Sequence, residues 1–285
     1  MRSALPRRSP HTALRTVAAL ATAAMALAAG AAPALAKVEP NPEFLPYAHC
    51  PAKVKGVKRC LYATTTGGEF KLGNKTVPIN KPIVLQGGLT ETSEQLVEPV
   101  GAAAVSPVTL TVPGGLIGIE GLGGEVTATA ELAGPASSIL VSQVNYLNRT
   151  GIAVSLPLKV TLGNPLLGQE CVIGSEASPI LLHLTTGTTS PPPPNKPISG
   201  SSGKLTANKE GTIISFPGAS LVDNSYSAPA ASGCGGALGF LINPLVNGIV
   251  GLPAASGENT AVLNGTLTEA VTSAVRKAHV LPKTK

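Results

Sequence analysis

Tryptophan is absent, and the chain carries only four Phe and four Tyr. Rings are the platforms on which single-stranded nucleic acids stack and the girdles of outer-membrane barrels, so neither role is expected. Aspartate is nearly missing as well: Asp223 stands alone against fourteen glutamates. An EF-hand loop needs several Asp or Asn ligands at fixed offsets, and a serine triad oriented by Asp has a single candidate. No Gly-x-Ser-x-Gly elbow and no Cys-x-x-Cys pair occur, and the glycine run Gly233–Gly239 fails the Gly-x-Gly-x-x-Gly spacing. His49 and His183 fall at no recognised ligand spacing. Catalytic, cofactor and metal readings therefore find no motif, and no enzyme activity is expected.

What is present begins with the first 36 residues. Arg2, Arg7, Arg8 and Arg15 precede a small-apolar run from Val17 to Ala32, followed by Ala34-Leu35-Ala36. This is the order of a secretory signal peptide, with cleavage expected before Lys37. Four of the 21 basic residues lie in that leader, leaving 17 against 15 acidic, so the formal charge falls from +6 to +2. The basic character belongs to the leader and does not indicate nucleic-acid binding. Export to an oxidising compartment makes two disulfides the expected use of Cys50, Cys60, Cys171 and Cys234. Cys50–Cys60 with Cys171–Cys234 is favoured, because the first pair is so close in sequence.

Residues 37–285 read as all-β. A proline followed by β-branched and leucine residues recurs at Pro82, Pro107, Pro157 and Pro179. Proline lacks a backbone donor and belongs at the first residue of a strand. Short period-2 runs at Cys60–Thr65, Glu125–Leu132, Gly211–Phe216 and Thr260–Leu267 add further strands. Ser137–Leu147 reads as a short helix or a strand, and Leu267–His279 is the best amphipathic helix. Many short strands between Gly and Pro turns predict an antiparallel β-sandwich or open barrel with few short helices. The Pro-rich stretch at 190–203 divides 37–189 from 204–285 if it is a linker. A Cys171–Cys234 bridge would span it and make it an excursion within one domain.

Two segments carry candidate binding chemistry. Phe240–Leu252 is the most apolar stretch after the leader, and Phe240, Leu241, Ile242, Leu245, Val246 and Ile249 are candidates for a ligand lining or an apolar docking surface. The glycine-rich loop around Leu116–Leu122 is a second candidate lining. Lys53, Lys55, Lys58 and Arg59, inside the Cys50–Cys60 loop, could meet an anionic partner such as a wall polymer.

The stretches CPAKVKGVKRCLYATTTGGEFKLG, NPLLGQECVIG and SGCGGALGFLINPLVNGIVGLP resemble a loose group of uncharacterised exported proteins of high-GC Gram-positive bacteria. That resemblance implies export and a two-disulfide β architecture, and no activity. The expected role is a non-enzymatic secreted or cell-envelope-associated β protein without a transmembrane anchor once the leader is removed. A carrier of an apolar small molecule is the alternative, and an extracellular hydrolase the less favoured one. A closed apolar cavity would favour the carrier. A polar cleft bringing His183 or His49 to a glutamate would favour the hydrolase.

Overall fold

The computed structural model describes residues 39–115 and 124–282. The leader and the Leu116–Leu122 lining candidate lie outside the described residues. The described residues cluster as one unit, and thirteen strands among them form two antiparallel sheets in a sandwich-like arrangement.

The first sheet is built around β1 (Val57–Leu72). One edge of β1 pairs with β13 (Thr260–Val271). The other edge takes β3 (Ile83–Thr90) and then β2 (Lys75–Pro78). On the far edge of β13 lie β11 (Ile213–Asp223) and the short β10 (Thr206–Ala207). The second sheet centres on β7 (Val154–Gly163). β5 (Thr127–Leu132) and β6 (Leu140–Val141) flank one edge of it, with β4 (Val108–Thr111) outside β5. β9 (Ile180–Leu184) and β8 (Val172–Ile173) flank the other, with β12 (Ala231–Ser232) outside β8. The sheets also touch through single bridges, Thr185 with Val222 at one margin, and Gly88–Val97 with Gln95–Leu140 at the other. Such pairing covers backbone groups that an open edge would leave available to other chains.

Long strands stay amphipathic because they change phase. In β1, Leu61 and Ala63 face the main core and Cys60 and Tyr62 a smaller one, but beyond the irregularity at Thr65/Gly67 it is Phe70 and Leu72 that face inward. β11 shifts at Pro217/Ala219 in the same way. A bulge adds one residue and flips the alternation. Both bulges lie beside Gly265 of β13, where a Cβ would stand 1.8 Å from the Thr64 carbonyl oxygen. The close approach of three strands at this line requires glycine.

Three of the four proline signals stand immediately before their strands: Pro82, Pro107 and Pro179. Pro157 instead lies inside β7. It is tolerated there because that edge of β7 is paired with β6 through Ser155 and with β5 only from Leu158, leaving Pro157 in the gap.

The helix expectation at Leu267–His279 needs correction. β13 runs on to Val271, and α3 (Thr272–Lys277) is a single short turn. Ser137–Leu147 contains both alternatives, with β6 followed by α1 (Gln143–Asn148). The helix α2 (Gly239–Val250) covers most of Phe240–Leu252.

Both disulfides form, Cys50–Cys60 and Cys171–Cys234. The first pins the 3-10 turn Pro42–Tyr47, the basic loop and α3 around a small second core of Phe44, Tyr47, Ala52, Ile213 and Val275. The Pro-rich stretch folds back on the sandwich. Its Asn195 side chain donates to the backbone carbonyls of Asn224 and Asn259, and Ser201 bridges to Ser220 of β11.

Candidate functional site

Between the two sheets lies an apolar cavity of about 120 Å³. Phe70, Leu72, Val77, Ile83 and Leu263 form its floor from the first sheet. Its roof comes from the second: Val108 and Leu110 of β4, Ala128 and Ala130 of β5, and Leu156, Leu158, Val160 and Leu162 of β7. The register explains the gap. Ala128 pairs with Leu162 and Ala130 with Val160, so two one-carbon side chains point inward from β5 where the neighbouring strand presents larger ones. Ala128 and Ala130 line the cavity and are only half-buried. Among the described residues, Thr65 and Lys75 are the only side chains with polar atoms in this lining, and the Lys75 ammonium is engaged by the Gly115 carbonyl at the cavity margin, to which it donates at 3.1 Å.

The residues singled out in Phe240–Ile249 do not line this space. From α2 only Val250 reaches it. Val246 is fully buried, Ile242 and Ile249 pack against the core, and Phe240, Leu241 and Leu245 are exposed by 73%, 59% and 49%.

The basic loop is divided. Lys53, Lys55 and Lys58 are exposed, but Arg59 is drawn to Glu269 at 3.2 Å. Lys53 and Val54 also edge a surface hollow with Val100 and Pro282. Glu269 itself is buried on the inner face of β13, where Gln143 of α1 donates to both of its oxygens at 2.9 and 2.8 Å. Burial pushes this carboxyl above the usual glutamate range, and Arg59 and Gln143 pull it partly back. Asp223 is likewise buried and raised by desolvation. Its oxygens accept the backbone N–H groups of His183 and Ser225 at 2.7 and 2.8 Å, tying β11 to β9. Both acids hold the two layers together.

Neither histidine meets a glutamate in a hydrogen bond. His183 is exposed and reaches Asp223 through its backbone, and His49 Nδ1 lies 2.9 Å from the Val100 carbonyl. Among the described residues no group of three or more His, Cys, Asp or Glu is placed to hold a metal ion. No helix among them is long and apolar enough to cross a membrane.

The cavity residues carried a faint signal in the sequence. TATAEL alternates small and polar side chains, so its inward face is the least bulky of any long strand. Which strand lies opposite is set by register, and one sequence does not disclose that. The chain matches no known family, no curated protein and no solved structure.

Proposed function

We propose that this is a non-enzymatic, exported binding protein that carries an apolar small molecule between its two sheets. The cavity is the observation that carries the reading. An unfilled void of this size costs a fold about 3 kcal/mol at ~24 cal/mol per Å³, out of a total stability of about 5–15 kcal/mol. Interiors are otherwise packed to the density of organic crystals. A cost of that size is offset when a ligand occupies the space. Apolar cavities of about 150 Å³ stay dry and admit benzene, so the guest is an aromatic ring, a branched alkyl group or a short section of acyl chain. The near absence of polar atoms in the lining selects against sugars and nucleotides, whose hydroxyls and charges would be desolvated without partners.

Export is supported by the order of the leader, and the two disulfides belong to an oxidising compartment. Among the described residues the lining is almost wholly aliphatic and aromatic, which favours a carrier over a hydrolase.

Native mass spectrometry of protein secreted by its own host tests the reading. Wild type should carry an extra mass that an organic solvent removes. Ala130→Leu should fill the void, emerge without the extra mass and gain about 0.5–2 kcal/mol in stability. Equal ligand loading of wild type and Ala130→Leu would rule the cavity out.

A further inference from the structure

The helix α2 buries Val246 and Val250 but also presents large apolar side chains on its outer face. Its two polar side chains point into the protein. Asn243 Oδ1 accepts the backbone N–H of Cys234 at 2.9 Å, and Asn247 both accepts from and donates to the backbone of Ala231, at 2.7 and 3.1 Å. Its large apolar side chains Phe240, Leu241 and Leu245 point to solvent, joined by Leu238, 57% exposed. Of the four Phe and four Tyr in the chain, Phe240 is the only one left exposed. Leu166, 60% exposed, extends the patch, because its loop is tied to the start of α2 by the Gly235 N–H donating to the Leu167 carbonyl and by the Cys171–Cys234 bridge.

Charge is missing from the two stretches of chain that carry these side chains. From Ser225 to Gly257 there is no Lys, Arg, His, Asp or Glu, and none from Asn164 to Gln169. Glu170 and Glu258 bound these stretches from outside. A contiguous uncharged apolar patch on a secreted fold marks a place of contact.

We infer that the α2 face is a membrane-docking surface that inserts into the outer layer of a lipid bilayer. The inference rests on the carrier reading for its purpose, since a water-insoluble guest must be taken from or delivered to an apolar phase. Three observations select the bilayer. The protruding side chains, Leu166, Leu238, Phe240, Leu241 and Leu245, carry no charge and no hydrogen-bonding group with which to specify a protein partner. A bilayer accepts an apolar helix face to a depth of about 5–10 Å without shape complementarity. The far end of the same helix is continuous with the cavity, because Val250 lines it and Ile249 packs against the core. With no cation on the patch, docking should be blind to headgroup charge and to salt. That separates it from adhesion through Lys53, Lys55 and Lys58, which salt would screen.

The absence of Trp supplies the probe. Phe240→Trp creates a single reporter, and the mature protein is mixed with vesicles of phosphatidylcholine alone. The expected result is a blue shift and co-sedimentation that persist from about 0.05 to 0.5 M salt. Phe240→Ser/Leu241→Ser/Leu245→Ser should lose at least tenfold in vesicle affinity while keeping its melting temperature and its uptake of benzene. Three outcomes overturn the inference: no binding to neutral vesicles, binding untouched by the triple substitution, or a wild-type dimer that the triple substitution dissociates. Benzene uptake without vesicle binding would defeat docking alone, and vesicle binding without benzene uptake would defeat the carrier reading alone.

Discussion

Glu269 shows how a buried charge is managed on the largely apolar inner face of a sheet. It sits opposite Leu61 in the ladder, where the alternation of β13 demands an inward side chain. Arg59 and Gln143 supply the only compensation, and Arg59 remains 44% exposed, so water screens that pair. Desolvation wins, and the folded-state value lies above the ordinary one. A carboxyl raised on folding binds its proton more tightly in the native state, so its contribution is most favourable below the unfolded value near pH 4.3. That contribution declines as pH rises toward and through the raised folded value. Relative to Glu269→Gln, wild type should therefore lose ground between about pH 4 and neutrality. Paired melting curves across that range check it. A wild type that gains on the variant with rising pH would mean that Arg59 and Gln143 outweigh burial.

At the scale of elements, the two disulfides do different work. Cys171–Cys234 spans 63 residues and is buried in the main core beside the start of α2, whereas Cys50–Cys60 spans 10 and closes the small second core. The chain-entropy model assigns about 4 kcal/mol to the longer loop and about 3 to the shorter. Cys171→Ala/Cys234→Ala should lower the melting temperature clearly more than Cys50→Ala/Cys60→Ala. The opposite order in calorimetry would place the weak point of the fold in the N-terminal cap. Strand positions were largely legible from proline placement and period-2 runs, because each depends on local chemistry. Strand lengths were not: β1 and β11 run on through bulges at Thr66 and Gly218, where the alternation breaks. α2 was legible as apolar but not as exposed. Its inward face is set by Asn243 and Asn247 finding backbone partners at Cys234 and Ala231, and that preference appears only once the Cys171–Cys234 bridge has placed the helix.

At the scale of the molecule, the described residues form two sheets with an apolar space between them, and each disulfide closes a loop beside one sheet. The pairing of Cys50 with Cys60 and of Cys171 with Cys234, and the all-β class, could be read from spacing and composition. The cavity could not, because it depends on Ala128 and Ala130 facing a space that two sheets leave between them. Its most direct test is a methyl NMR titration of the mature protein with benzene. Shifts should concentrate on the methyls of Ala128, Ala130, Leu158, Leu162 and Val250, and saturate. Shifts confined to the exposed Leu241 and Leu245, or no saturable shift at the five interior residues, would contradict a ligand site between the sheets.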